Sequence, residues 1–326
     1  MEPILLPSNQ PPSRFYQGGT RISEFRAETP SPPNTPEDWV ASTTSVRGDS
    51  PVGMTRLADG RLLAEAISAD PSAWLGPSHV DKYSEDTMLL VKLLDAGQRL
   101  PVHAHPDGEF ASRHVSAAHG KAEAWYILSP GTVHLALTRS VSLDELQALV
   151  TTQDSAGMLG LMHEIPVEAG DCVFVPHGVL HSIGAGILLA EVQEPEDLSI
   201  LLEWKGFDLD GQKDGHLGLG FDLALSAVEV QGRTDAEVEA LVRRRVSDGG
   251  ALPKEADAYF RLDRITHRRE FPAGFSIVIV LGDDAQLTLA SGAVHALAAG
   301  STTLVPFEAG SFWIDGSALL ARPPLP

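Results

Sequence analysis

The rhythm of apolar and polar positions changes near residue 88. Ahead of it, residues 1 to 50 hold turn formers at Pro11-Pro12, Gly18-Gly19, Pro30, Pro32-Pro33 and Pro36 with few periodic apolar stretches, the texture of an extended arm laid over a core. Beyond it, Met88–Leu94, Ala124–Leu128, Thr132–Leu137, Asp171–Pro176 and Ile187–Gln193 are short apolar or alternating runs, rich in Val, Ile, Leu and aromatics and closed by Gly or Pro. Such runs predict strands of an antiparallel sandwich or barrel. Ser142–Thr151 breaks the alternation. A capping box, Ser142-Leu-Asp-Glu145, leads into Leu143, Leu146, Leu149 and Val150 at helical spacing, which predicts a helix between two strands. Phe110–His119 reads as a short helix or loop, and Val238, Leu241 and Val242 predict a helix over Ala236–Val246. Strand texture returns at Ala258–Leu262, Phe275–Leu281, Gln286–Leu289, Ser301–Pro306 and Ser311–Ile314. The expected organisation is therefore an arm plus a first β unit over 1–206, a Gly- and Asp-rich, partly helical connector over 207–257, and a smaller β unit over 258–326.

Composition narrows the function. The 326 residues are 43% hydrophobic and 21% charged, ordinary for a globular chain with a sizeable core and enough for two domains. Lys and Arg number 24 against 44 Asp and Glu, and a net charge of −20 makes nucleic acid a poor partner. A small phosphorylated ligand is not excluded, because local cations outweigh a distant net charge screened over about 8 Å. No run reaches the roughly 18 apolar residues of a membrane helix, and no secretory leader is visible, so a cytoplasmic chain without membrane contact is expected. The lone Cys172 excludes an internal disulfide and a multi-Cys metal cluster and is expected in the core; twelve histidines leave imidazole as the available soft ligand.

Gly97, five residues, then His103-Ala-His105 places two imidazoles on one face of a strand, since side chains at i and i+2 point the same way. Gly170, five residues, Pro176, one residue, Gly178, two residues and His181 can return a third imidazole to the same interior. The two patterns resemble the paired motifs of the cupin superfamily, small double-sheet barrels that hold a metal with three histidines and a glutamate. Two glutamates compete for the fourth position. Glu109 follows His105 at the general cupin spacing but sits in turn-like Asp107-Gly108-Glu109, whereas Glu123 opens the strand Ala124-Trp-Tyr-Ile-Leu128 and is the preferred ligand. His267 and His295 read as surface residues, and His114, His119, His134, His163 and His216 lack paired spacing.

Four segments read together, Val102-His-Ala-His-Pro-Asp107, Gly120-Lys-Ala-Glu-Ala-Trp-Tyr-Ile-Leu128, Val173-Phe-Val-Pro-His-Gly178 and the stretch His181–Gln193, resemble the successive motifs of type I mannose-6-phosphate isomerases in their short bacterial form. Glu37-Asp-Trp-Val-Ala-Ser42 is similar to that family's early acidic-Trp-Ser motif. The resemblance implies a mainly β fold of two cupin-type double-sheet barrels, the second degenerate, with inserted helices. It implies His105, Glu123 and His181 as metal ligands, with His103 standing where the family usually has a ligating Gln. Zinc is the family's expectation, and the same donors accept Mn, Fe, Co or Ni. Lys121 stands where the family places a substrate-binding, proton-transferring lysine. The implied activity is interconversion of mannose 6-phosphate and fructose 6-phosphate through a cis-enediol. Alternatives are an isomerase of a free sugar, a non-catalytic carbohydrate-binding or sensory cupin, and an oxygenase. Ile200 falls at the family's arginine position and Pro101 at its serine near the phosphate end, so Arg14, Arg21 or Lys205 would have to supply a cation, with Asp197 a further polar candidate.

Overall fold

The computed structural model describes residues 1–326, built mainly from antiparallel strands with short helices between them. Two sheets make the first β unit. The larger has the spatial order Val242–Arg243, Cys172–Val175, Glu123–Ile127, Leu188–Gln193, Leu90–Asp95, Glu37–Val40. The other runs Ile200–Leu201, His103–Ala104, His181–Ile183, Gly131–Leu137, Met162–Val167. A third sheet, Ile4–Leu6, Thr302–Val305, Ser276–Val280, Ala318–Arg322, Arg261–Ile265, Gly249–Gly250, and a fourth of Arg269–Phe271, Phe312–Asp315, Ala285–Leu289 and Val294–Leu297 make the second unit.

Period-two alternation lets the third sheet serve two cores. Ile277, Ile279, Leu304 and Leu319 join the large apolar cluster that also holds Trp125, Leu93 and Val192 of the first unit. Their neighbours Val278, Val280, Val305 and Leu320 face the other way and pack with Leu287, Phe312 and Ile314 of the fourth sheet. A third cluster lies where the predicted helix, observed at Leu143–Thr152 and capped by Ser142, sets Leu146 and Val150 against Val102, Ala104 and Ile200. No helix is long and apolar enough to cross a membrane.

Several elements depart from their sequence-based expectations. The arm is not wholly irregular: Glu37–Val40 pairs with Leu90–Asp95, while Ile4–Leu6 reaches the second unit and pairs with Thr302–Val305. Gly97 admits this arm, since a Cβ there would lie 2.2 Å from the carbonyl carbon of Gly18. Three short helices, Leu63–Ala69, Pro71–Leu75 and Pro77–Tyr83, fill the stretch ahead of residue 88; Pro71 and Pro77 each occupy a first helical turn, where proline is favoured. The helix expected over 236–246 stops at Glu239, because the Leu241 carbonyl accepts from Phe174 N–H and Val242–Arg243 continues as an edge strand on Cys172-Val173. Buried Val238, Leu241 and Val242 meet the same core either way, so apolar spacing alone could not choose. The strand expected at 258–262 begins at Arg261, after a turn of 3-10 helix over Lys254–Ala258.

The arm is fastened by charge as well as by pairing. Arg26, 3% exposed at its side chain, forms an ion pair with fully buried Asp38 and donates to Thr302 Oγ1 at 3.0 Å, joining the arm to both units. Removing one partner of a buried pair leaves the other charge uncompensated, at a cost of about 3 to 5 kcal/mol. Arg26→Met is therefore expected to lower the unfolding free energy obtained from urea titration by an amount in that range; a loss under about 1 kcal/mol would show that the pair does not hold the arm.

Candidate metal centre

The three imidazoles converge because two of them are direct cross-strand neighbours. His103 lies opposite His181 in the second sheet, and His105 follows two positions later on the same face. Ring centroids are 4.0 Å apart for His103 and His181, 5.0 Å for His103 and His105, and 4.8 Å for His105 and His181. One ring nitrogen of each is committed to the backbone. His103 Nδ1 meets the Pro101 carbonyl at 2.8 Å, His105 Nδ1 that of Leu198 at 2.6 Å, and His181 Nδ1 that of Val179 at 2.8 Å. An Nδ1–H donating to a carbonyl leaves a bare Nε2 lone pair, the tautomer that binds metal.

Glu123 enters from the facing sheet, at the start of the strand Glu123–Ile127. Its Oε2 lies 3.1 Å from His105 Nε2, its Oε1 lies 3.3 Å from His181 Nε2, and Trp125 Nε1 donates to Oε1 at 3.0 Å. Lys121 Nζ sits 2.5 Å from Glu123 Oε2, 2.9 Å from His105 Nε2 and 3.6 Å from Glu191 Oε1. All are buried. Glu109, by contrast, is exposed on the helix Gly108–Val115, where it pairs with Arg113 one turn on.

Electrostatics keep His103 and His105 neutral. Burial first, then the neighbouring rings of His181 and His105, hold His103 well below the usual range; burial and then the Lys121 ammonium bring His105 to about 3. Burial would raise Glu123, but Lys121 and then His105 outweigh it and hold the carboxyl well below its ordinary value. Lys121 itself is raised: burial opposes its charge, yet Glu123 and Glu191 overcome that, so the ammonium is held by paired carboxylates. Two buried polar atoms here have no hydrogen-bond partner, His181 Nε2 and Glu191 Oε1. A donor set of three imidazole nitrogens, with carboxylate oxygens 3.1 and 3.3 Å from two of them and one nitrogen orphaned, fits a divalent ion of the zinc or first-row transition type.

The centre closes one end of a cavity of about 520 Å³, lined by His103, Lys121, Glu123 and Glu191 and, farther along, by Arg14, Lys92 and Asp197. A mannose-6-phosphate isomerase of Streptococcus mutans is 30% identical over 219 residues, 65% of this chain and 63% of that protein, an alignment spanning less than two thirds of the relative. A mannose-6-phosphate isomerase of Bacillus subtilis is 26% identical over 310 residues and aligns across 92% of both proteins. The chain is thus similar over most of its length to proteins named mannose-6-phosphate isomerase. A crystal structure of the Bacillus subtilis mannose 6-phosphate isomerase superposes with a TM-score of 0.70 at 23% identity, covering 98% of this chain and 99% of that one. No family model matches.

The mannose-6-phosphate isomerase resemblance anticipated the site unevenly. Arg14 and Asp197 do line the cavity, joined by hydrogen bonds of 3.2 and 3.3 Å. Arg21 and Lys205 do not line it; Lys205 is exposed, with its backbone N–H on Gln153 Oε1 at 3.0 Å. The strand of Ile200 pairs with His103–Ala104 and turns Ile200 into the outer core, while its neighbours Ser199 and Leu201 line the cavity. Pro101 also lines the cavity. Sequence spacing missed Arg47, Lys92 and Lys213, which line it from a loop, a strand and a short helix. Glu37, which opens the acidic-Trp-Ser segment, lines it too and accepts from Tyr16 Oη at 2.6 Å and Trp39 Nε1 at 2.7 Å.

Asp197 yields a pH signature. Burial would raise its carboxyl, but Arg14 and then Lys92 hold it well below the usual range. A depressed carboxyl contributes stability fully present above its unfolded value, about 3.9, and lost as pH falls through the folded one. The stability gap between wild type and Asp197→Asn should thus be constant above about pH 5 and close as pH drops below about 4. A gap unchanged down to pH 3 would contradict this assignment.

Proposed function

We propose that this chain is a metal-dependent aldose–ketose isomerase that interconverts mannose 6-phosphate and fructose 6-phosphate, using His103, His105, Glu123 and His181 to hold one divalent ion, with zinc the preferred occupant. The observation that carries the reading is the set of three buried imidazoles whose Nδ1 atoms are tied to backbone carbonyls while their Nε2 atoms face one another beside Glu123 and Lys121. The family's activity on a phosphorylated sugar favours this over a free-sugar isomerase or a silent carbohydrate-binding module.

The reaction moves a proton between C1 and C2 while the carbonyl changes place, and the intermediate carries negative charge on O1 and O2. A divalent ion held by His103, His105, Glu123 and His181 would supply positive charge to stabilise negative charge developing on the substrate oxygens. Lys121 Nζ, 2.9 Å from His105 Nε2, is the group we assign to carrying the proton: once its ammonium proton has passed to Glu191 Oε1, 3.6 Å away, the neutral amine takes the proton from one carbon and returns it to the other. Paired Glu123 and Glu191 fix its ammonium in position before substrate arrives. Arg14 and Asp197 hold sugar hydroxyls farther along, and Trp125, 5.6 Å from the His181 ring, walls the centre against water. The cupin-type barrel, a metal-free 258–326 unit and a cytoplasmic location belong to the same proposal.

His181→Ala is expected to abolish stoichiometric metal binding in elemental analysis of protein reloaded with zinc; full occupancy would overturn the ligand assignment. Lys121→Met should reduce kcat on mannose 6-phosphate by at least about 100-fold, far more than it reduces metal content, as expected on removing a positioned acid–base group. Equal losses of metal and turnover would make Lys121 a structural partner of Glu123 instead.

A further inference from the structure

The cations lining the cavity fall into two sets. Arg14, Lys92 and Lys121 are each within ion-pair distance of a lining carboxylate: Asp197 at 3.2 Å, Glu37 at 3.7 Å and Glu123 at 2.5 Å respectively. Arg47 and Lys213 line the same space, are exposed, and have no ion-pair partner. The first set is matched by lining carboxylates; the second is not.

Both free cations sit on segments fixed to the cavity wall. The Arg47 backbone N–H donates to Asp197 Oδ2 at 3.1 Å, and Thr44 Oγ1 donates to the Pro195 carbonyl at 3.0 Å, so this loop is pinned to residues 195–197. The Arg47 guanidinium has only a long contact of 3.5 Å to the Val115 carbonyl. Lys213 lies on the short helix Gly211–Asp214, whose ends are held by contacts at two glycines. A Cβ on Gly211 would lie 2.2 Å from the Trp204 indole, and the Gly215 carbonyl accepts the Leu201 N–H at 2.8 Å. Leu201 itself lines the cavity. Its own backbone thus tethers the segment that brings Lys213 to the same wall. Asp214 shares the rim without pairing to Lys213, so one cation alone would be offset and two are needed to leave net positive charge.

We propose that Arg47 and Lys213 together form the subsite for the phosphate of the sugar phosphate. The proposal rests on the isomerase reading above for its substrate. A phosphate there would receive the Arg47 guanidinium and the Lys213 ammonium while C1 and C2 reach the imidazole cluster at the closed end. Exposed Lys205 and Arg21 lie off this path.

The test is steady-state kinetics of zinc-loaded wild type, Arg47→Met, Lys213→Met and the double variant on mannose 6-phosphate and on free mannose, with calorimetric titration of mannose 6-phosphate alongside. Loss of one charge-assisted contact to phosphate costs about one to two decades in affinity. Each single variant should therefore lower the ratio of kcat/KM for mannose 6-phosphate over mannose by about tenfold or more, chiefly through KM, and the double variant by more. Arg47→Lys and Lys213→Arg should recover most of that ratio, which lost packing would not allow. An unchanged ratio in the double variant overturns the subsite and leaves the isomerase reading standing. Absence of turnover by the wild type on any sugar phosphate overturns the isomerase reading; calorimetry then still decides the subsite, supported if mannose 6-phosphate binding is lost in the double variant and refuted if it is unchanged or never present.

Discussion

Burying a carboxylate, an ammonium and three imidazoles within one set of walls is tolerable only when each has a defined partner, and much of the first unit is arranged around that requirement. Desolvation acts against the charge of every one of these groups. Glu123 and Lys121 answer one another at 2.5 Å, Trp125 adds a donor to Glu123, and each imidazole gives one nitrogen to a main-chain carbonyl. Those carbonyls belong to Pro101, Val179 and Leu198, so the strands and turns that carry the histidines also set their tautomers. What stays unsatisfied, His181 Nε2 and Glu191 Oε1, faces the interior where an ion and a substrate would sit. The pattern repeats with Glu37, which accepts from Trp39 two residues on, as Glu123 does from Trp125. Both pairs use the i, i+2 geometry of a strand to give a buried carboxylate a built-in donor.

This arrangement orders the cavity along its length. Its closed end is dense with matched charges and suited to chemistry on two adjacent carbons. The rest of its wall comes from segments that differ in origin: the arm through Arg14 and Tyr16, the loop at Arg47, and the connector at Lys213. The arm can contribute because Gly97 allows Gly18 to lie against it and because Ile4–Leu6 and Arg26 anchor it to the second unit. The second unit thus supports the site indirectly, by holding a segment that lines it.

The sequence made some of this legible and hid the rest for physical reasons. Strands such as Leu188–Gln193 and Cys172–Val175 declare themselves because nearly every residue is buried, and the Ser142 cap announces its helix. The glycine-framed histidines were readable because i, i+2 spacing fixes a common face, and Glu123 could be preferred to Glu109 because a strand start aims a side chain better than a turn. Val238, Leu241 and Val242 suit a helix or an edge strand equally, and only pairing with Cys172-Val173 decides. Successive residues of a strand face opposite ways, so Leu201 lines the cavity while Ile200 packs into the outer core. Arg47 and Lys213 gave no signal, since loop residues far apart in sequence meet only through contacts such as Asp197 with the Arg47 amide and Leu201 with Gly215.

The central claim is that the imidazole cluster is the seat of a single divalent ion. Anomalous diffraction from crystals of the zinc-reloaded protein, recorded on either side of the zinc absorption edge, addresses it most directly. The account predicts one strong peak about 2.0 to 2.2 Å from Nε2 of His103, His105 and His181 and from a Glu123 oxygen, with all three Nδ1–carbonyl bonds retained. A peak centred elsewhere, on Glu109 or in the 258–326 unit, or an imidazole turned to present Nδ1, would contradict it.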